Sequence, residues 1–355
     1  MSDATYVHNR ARREHAHRPP RADAVRWHAR QPYYAPTSLV SLEDLAARLG
    51  FEHVWIKDEG NRCGTTSFKI LGASWALHAA LEQRSAAARA AVKTLFAATD
   101  GNHGRAVAQL ARLQHLGAEI FVPAGTSADR IAAIEREEAA VRIVDGSYDD
   151  AVRRAAAAAD QAGEAGLLVS DTALHAGDPT PQWTIEGNGT IFHEVDEELA
   201  RRGMPMPDLV LLQIGVGCFA AAGIRHFRSR ADGAATRIVG VEPVSAACAA
   251  ASIAAGRIST VEARFDSDMV GLNAQTPSVA AWEDLLYGLD GIVTITDAWC
   301  PPARQALTAA GLRPGPTGLA GAAGLLALDA LRRNEPALRW LDGVRDVLLV
   351  LTESS

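Results

Sequence analysis

From about Tyr34 onward, short apolar runs alternate with Ala-rich helical patterns, and this rhythm narrows the possible folds most. Strands are expected at residues 54–57, 94–98, 120–123, 141–144, 167–170, 209–213, 237–242 and 347–351. Helices are expected at 70–81, 102–113, 127–138, 148–162, 183–201, 219–228, 303–310 and 318–332. Strand–helix alternation of this kind implies parallel sheets wrapped by helices. The run Leu209-Val210-Leu211-Leu212 does not alternate with polar residues, which fits a strand buried on both faces. The strand count exceeds what one sheet comfortably holds, so two α/β domains are expected.

Composition removes several function classes. The 355 residues carry a net charge of −7, without the basic footprint of a nucleic-acid binder. The first thirty residues are rich in Arg and His and lack an apolar core segment, so they do not read as a secretory signal. The longest apolar stretch, near 319–328, is too short to span a bilayer. The expectation is a cytoplasmic protein with no membrane and no nucleic-acid partner. Cys63, Cys218, Cys248 and Cys300 form no CxxC pair and read as small buried hydrophobes in a reducing compartment. His8, His15, His17 and His28 read as part of a solvated or loosely packed arm rather than a metal site.

Three features carry chemistry. The chain has 35 basic residues, of which only Lys57, Lys69 and Lys93 are lysines. Lys57, beside Asp58 and Glu59, suggests an ion pair, and Lys93 looks exposed. Lys69 lies in Ser67-Phe68-Lys69-Ile70-Leu71-Gly72-Ala73, where a loop becomes a helix. Alone it reads as a surface lysine. A Schiff-base enzyme, however, needs a deprotonable primary amine, which arginine cannot supply. Second, Thr99-Asp100-Gly101-Asn102-His103-Gly104 follows a strand and opens a helix, and backbone N–H groups there would suit a carboxylate. Third, Gly215-Val216-Gly217-Cys218-Phe219-Ala220 follows the strand at 209–213. Its glycines would let the backbone approach a phosphate. It is also a GxGxxA string, and Glu242 ends the next strand, where a ribose-binding acid would sit. An NAD-dependent oxidoreductase is therefore a rival on these residues alone.

The SFKxLGA segment, the TDGNHG loop and the GVG loop, in this order and spacing, resemble the pyridoxal-phosphate (PLP) enzymes of fold type II, the tryptophan-synthase-β-like group. Within that group the chain looks most like the diaminopropionate ammonia-lyases. Supporting segments are Tyr34-Ala35-Pro36-Thr37-Ser38-Leu39, Ser147-Tyr148-Asp149-Asp150, Asp171-Thr172-Ala173, Gly240-Val241-Glu242-Pro243, Met269-Val270-Gly271-Leu272 and Leu351-Thr352-Glu353. The resemblance covers about residues 32 to 353, and the Asp of TDGNHG is its most specific part.

The resemblance implies a two-domain α/β fold with parallel-rich sheets and the cofactor between the domains. Residues 1–71 plus 185–355 would form the large domain and 72–184 the small one. Lys69 would hold PLP as a Schiff base, with Phe68 beside the ring and Asn102 on the 3′-oxygen. Gly215, Val216, Gly217 and Cys218 would cradle the phosphate, with Phe219 and Gly271 adjoining, and Thr352 would face the pyridine nitrogen. Asp100 and Asp171 would be acid/base groups on opposite sides of the substrate. Thr99, Gly101, His103, His175 and Asp178 would line the site around a small amino acid, with no metal. A homodimer is the family expectation. The implied reaction is α,β-elimination from 2,3-diaminopropionate to pyruvate and ammonia through an aminoacrylate. The alternative is Ser/Thr dehydration or β-replacement on a related amino acid.

The chain departs from the family pattern at Leu174-His175-Ala176-Gly177-Asp178-Pro179, at Gly315-Pro316-Thr317-Gly318, at bulky Phe219, at Asn273-Ala274-Gln275-Thr276-Pro277-Ser278, and by stopping at Ser355. These changes leave Lys69 and the two aspartates intact and bear on the substrate.

Overall fold

The computed structural model describes residues 4–99, 101–170, 177–231, 233, 235–262 and 266–355. Its strands are β1 (Ala4–His8), β2 (Leu39–Ser41), β3 (His53–Asp58), β4 (Thr94–Ala98), β5 (Gly117–Pro123), β6 (Ala140–Val144), β7 (Gly166–Leu168), β8 (Leu209–Gln213), β9 (Arg237–Pro243), β10 (Gly291–Ile295) and β11 (Asp346–Leu351). The chain divides into two compact units, Met1–Phe68 with Asn188–Ser355, and Lys69–Gly187. These boundaries lie three residues from the expected 71/72 and 184/185, because the helix Lys69–Glu82 belongs whole to the second unit.

The first unit holds a seven-stranded sheet in the order β1-β10-β9-β8-β11-β3-β2. Its inner five strands run parallel, and the two edge strands pair antiparallel. All of β8 is buried, and its neighbours show why. Leu211 reaches Gly324 of the helix Ala320–Leu331, whereas Leu212 reaches Gly223 of the helix Cys218–Arg228. Successive side chains on a strand point to opposite faces, so both faces of β8 are covered and an apolar run replaces alternation. The second unit holds the parallel sheet β6-β5-β4-β7. Its core packs Phe96, Ala98 and Phe121 against Ala151, Ala155 and Ala159 of the helix Tyr148–Ala162.

Two expectations need correction. The N-terminal segment is not a loose arm. β1 pairs with β10 from Ala4↔Ile295 to His8↔Gly291, and the helix Ala22–His28 follows. His28 is buried with Nδ1 2.8 Å from Thr190 Oγ1, and His17 Nδ1 lies 2.8 Å from Asp284 Oδ1. The expected helix at 183–201 is two helices, Thr180–Asn188 and Thr190–Arg202, separated at Gly189. Gly187 packs so closely on the helix Lys69–Glu82 that a Cβ would lie 2.5 Å from the Leu71 carbonyl oxygen. All four cysteines are free thiols. No helix among the described residues is long and apolar enough to cross a membrane.

Candidate functional site

In the first unit, β8 delivers the chain into Ile214-Gly215-Val216-Gly217, and the helix Cys218–Arg228 begins directly after. Gly217 caps that helix at φ +100°, a left-handed conformation that a side chain would strain. A Cβ at Gly215 would lie 2.8 Å from the Gly271 carbonyl oxygen, so glycine lets the two loops touch. Gly271 is fixed in turn by its N–H, which donates to Thr317 Oγ1 at 3.1 Å. The first-turn N–H groups of a helix have no partner within it, and they face the positive end of its dipole. This loop can therefore hold an anion such as a phosphate. Cys218 and Phe219 are buried. The Phe219 ring lies 4.9 Å from that of Phe68 and 5.7 Å from that of Phe192. An aromatic cluster thus absorbs the bulk at 219.

Phe68 is held by the end of β11. Its N–H donates to the Thr352 carbonyl at 3.3 Å, Ser67 bridges Glu353, and the Ser354 N–H donates to the Thr66 carbonyl at 2.9 Å. The C-terminal segment is thereby laced to the residues just before Lys69. The Glu353 carboxylate accepts the Thr317 N–H at 2.9 Å, which orders the altered segment 315–318. Thr352 is 3% exposed, and its hydroxyl has no hydrogen-bond partner among the described residues. A buried hydroxyl without a partner is destabilising by about 1–3 kcal/mol, and a ligand that bonds it removes that cost. The resemblance assigns Thr352 to the pyridine nitrogen of PLP, which would supply that partner. The orphaned hydroxyl and the glycine-lined anion loop both fit the cofactor.

The first unit also holds a buried ion network. Lys57 is not paired with Asp58 or Glu59 as its sequence neighbours suggest. Its Nζ meets Glu194 Oε2 at 2.5 Å and the Thr37 carbonyl at 2.6 Å. Arg62 donates to Glu59 Oε1 at 2.6 Å and to Glu194 Oε1 at 2.7 Å. The Tyr34 hydroxyl donates to Glu194 Oε1 at 2.7 Å, and the Thr37 hydroxyl to Glu59 Oε1 at 2.6 Å. Burial disfavours the charge on Glu194, but the Arg62 and Lys57 cations outweigh it and hold its carboxyl below the usual range. Lys93 is exposed.

In the second unit, Lys69 opens the helix Lys69–Glu82 and is half-buried. After β4, the buried Thr99 donates its N–H to the Phe121 carbonyl, and its hydroxyl accepts the Gly101 N–H, both at 2.9 Å. Asn102 then starts the helix Asn102–Leu113 and is half-buried. His103 is buried, with Nε2 2.9 Å from the Val169 carbonyl. Its imidazole ties the helix start to the segment leaving β7, a clamp that no sequence signal announced. Asp178 accepts the Thr180 N–H at 2.9 Å, at the first residue of the helix Thr180–Asn188. Asp100, Asp171 and His175 lie outside the described residues.

Glu242 does not serve a ribose. It is fully buried and accepts the Ala249 and Ala250 N–H groups at 2.8 and 2.9 Å, capping the helix Cys248–Ala255. Burial pushes its carboxyl up to about 7, against the pull of those bonds.

Comparison with known proteins agrees with this geometry. Residues 30–352 match the family model described as pyridoxal-phosphate dependent enzyme. The diaminopropionate ammonia-lyase of Salmonella typhimurium is 32% identical, over 93% of this chain and 88% of that protein. The crystal structure of the Escherichia coli diaminopropionate ammonia-lyase in complex with D-serine superposes with a TM-score of 0.88 at 26% identity, covering 99% of this chain and 94% of that one. A biosynthetic threonine dehydratase of Haemophilus influenzae is 26% identical, over 81% of this chain and 52% of that protein.

Proposed function

The chain belongs to the pyridoxal-phosphate-dependent enzyme family, and from that premise we propose that it removes ammonia from 2,3-diaminopropionate by α,β-elimination. The observation that carries the substrate is the match to a diaminopropionate ammonia-lyase across nearly the full length of both chains. The net reaction consumes water and yields pyruvate and two ammonia molecules. PLP, when bound, supplies a conjugated ring that spreads the charge left as Cα loses its proton.

The chain's own residues divide the remaining work. Lys69 holds the cofactor through its amine and moves the Cα proton. Asn102 would hydrogen-bond the ring's oxygen substituent, and the Thr352 hydroxyl would be the partner of the ring nitrogen. A neutral hydroxyl there would leave the nitrogen unprotonated, which would favour elimination over transamination. The N–H groups of residues 215–218 hold the phosphate, and Phe68 and Phe219 wall the site. By resemblance, Asp100 and Asp171 would serve as acid/base groups, one of them protonating the departing β-amino group. Two such acids would suit turnover of both enantiomers. His103 and Asp178 act indirectly, through the backbone groups they hold.

The likeness to threonine dehydratase keeps hydroxy-amino-acid dehydration as the second reading. A 2-oxo-acid assay with D- and L-diaminopropionate, serine, threonine and O-acetylserine separates the two. Turnover of both diaminopropionate enantiomers is expected, and turnover of serine or threonine alone would overturn the proposal.

A further inference from the structure

The anion loop leans on a second loop. A Cβ at Gly215 would lie 2.8 Å from the Gly271 carbonyl oxygen, and the Ser278 N–H donates to the Val216 carbonyl at 2.8 Å. Residues 271–278 therefore touch the anion loop at both of their ends. Gly271 is itself held by the Thr317 side chain. Thr317 Oγ1 accepts the Gly271 N–H at 3.1 Å, and a Cβ at Gly271 would lie 3.1 Å from both Oγ1 and Cγ2 of Thr317. Gly271 thus sits against the Thr317 side chain and against the Gly215 backbone.

Thr317 is placed in turn by Glu353. Glu353 Oε1 accepts the Thr317 N–H at 2.9 Å, and both residues are buried. A carboxylate that accepts a backbone N–H forms a charge-assisted bond, stronger than a neutral one. Glycines make the approach possible, since a Cβ at Gly315 would lie 2.8 Å from Glu353 Cγ and one at Gly318 2.2 Å from the Glu353 carbonyl oxygen. The Gly315 N–H donates to that carbonyl at 3.1 Å. The turn 315–318 is anchored on the helix Ala320–Leu331 as well. The Leu319 N–H donates to the Gly315 carbonyl and the Ala320 N–H to the Thr317 carbonyl, both at 3.2 Å. Glu353 directly follows Thr352, and its backbone bridges Ser67, the residue before Phe68. One residue therefore fixes the Thr352 segment through its backbone and the neighbour of the anion loop through its side chain.

We propose that Glu353 and Thr317 are positioning residues for the cofactor's phosphate: Glu353 orients Thr317, Thr317 orients Gly271, and Gly271 sets the anion loop at Gly215. This run of contacts couples the phosphate end of the site to the segment that carries Thr352. The proposal rests on the assignment of residues 215–218 to the phosphate.

The test uses full-length protein stripped of cofactor and titrated spectroscopically with PLP and with pyridoxal, which lacks the phosphate. The readout is the preference for PLP over pyridoxal, because a general weakening of the site lowers both affinities and leaves their ratio unchanged. Thr317→Val keeps the shape of the side chain and removes the acceptor for the Gly271 N–H. It is expected to lower the preference roughly three- to tenfold, the size of one hydrogen bond. Thr317→Ser keeps the hydroxyl and is expected to stay within about twofold of wild type. Glu353→Ala is expected to lower the preference by a similar factor, and Glu353→Gln, whose amide oxygen still accepts the Thr317 N–H, to recover most of it. Because the two side chains act in series, the double variant Thr317→Val with Glu353→Ala should fall no more than about twofold below the weaker single variant. If Thr317→Val does not fold, the two Glu353 variants decide, and if Glu353→Ala does not, the two Thr317 variants do. An unchanged preference in Thr317→Val or Glu353→Ala, a loss as large in Thr317→Ser as in Thr317→Val, or single losses that multiply in the double variant overturns the proposal while leaving the phosphate assignment standing. A wild type that binds pyridoxal as tightly as PLP overturns the assignment itself.

Discussion

The two units differ in one respect of charge: the first encloses a buried ion network. In the unit of residues 1–68 and 188–355, Lys57, Glu59, Arg62 and Glu194 are each at most about 3% exposed and satisfy one another around Tyr34 and Thr37. In the unit Lys69–Gly187, the pairs Glu82–Arg89, Glu119–Arg142 and Asp150–Arg153 lie towards the surface, and even the buried Glu137 meets Arg112 with that side chain 42% exposed. A buried charge stripped of its partner is strongly destabilising, whereas a solvated one is not. The first unit therefore has little freedom to vary residues 34–62, the stretch leading to Phe68 and Lys69. The second can change its surface pairs with little consequence for the fold.

The largest expected effect falls at Lys69, the first residue of the second unit. Lys69→Ala should give colourless protein after addition of PLP and lower turnover by at least ~10³-fold, the scale of a lost acid/base group. A retained yellow colour would show that another amine holds the cofactor. Next comes the network. Glu194→Ala leaves Lys57 and Arg62 buried with fewer acceptors and should reduce stability by about 3–5 kcal/mol in a denaturant melt. Glu119→Ala, at a surface pair, should change it by about 1 kcal/mol or less. Equal losses at the two sites would break the contrast between the units.

What the sequence showed depended on whether the cause was local. The strands at 94–98 and 209–213 and the helices Asn102–Leu113 and Tyr148–Ala162 match their expected bounds. Each is written in nearby residues: an unbroken apolar run, a glycine before a helix, or the reciprocal Ser147–Asp150 capping box. The glycines of the anion loop were legible for the same reason. β1 was not, because Ala-Thr-Tyr-Val-His among arginines and histidines becomes a strand only through its pairing with β10. The partner of Lys57 stands 137 residues away, so adjacency to Asp58 and Glu59 misdirected the pairing. His103 sits inside a motif that resemblance assigns to substrate, yet its ring is bonded to the backbone of Val169. The buried hydroxyl of Thr352 carries no sequence mark of lacking a partner.

Two carboxyls, one in each unit, should also respond to pH with opposite signs. In the first, burial raises Glu242 from its usual 4.5 to about 7. Between those values the folded state binds the proton and the unfolded state does not, so this contribution is full below pH 4.5 and is lost as pH rises to 7. The loss is on the order of 3 kcal/mol. In the second, the Ser147 hydroxyl and backbone, with Arg153, lower Asp150 to about 2. That contribution is present above pH 3.8 and is lost as pH falls through 2. Denaturant melts of Glu242→Gln should show a flatter stability profile than wild type between pH 4.5 and 7. Parallel profiles would mean that Glu242 titrates alike in both states.

The smallest effect is expected at the free edge of the four-stranded sheet. Among the described residues β6 pairs only with β5 there, and Ile143 on it is 64% exposed. Its backbone neighbour is Val122, buried on β5, but the Ile143 side chain itself faces outward. An exposed apolar residue on an edge strand adds little packing, and lysine is a residue that edges use to discourage pairing with another chain. Ile143→Lys should therefore shift stability by no more than about 0.5 kcal/mol and leave turnover unchanged. The same change at Leu212, with no exposure on β8, would place a charge between two covered faces and should prevent folding. If Ile143→Lys instead lost 2 kcal/mol or more, together with a change in sedimentation, that edge would be covered by a second chain in solution. The surface character assigned here to the second unit would then hold only for the isolated protomer.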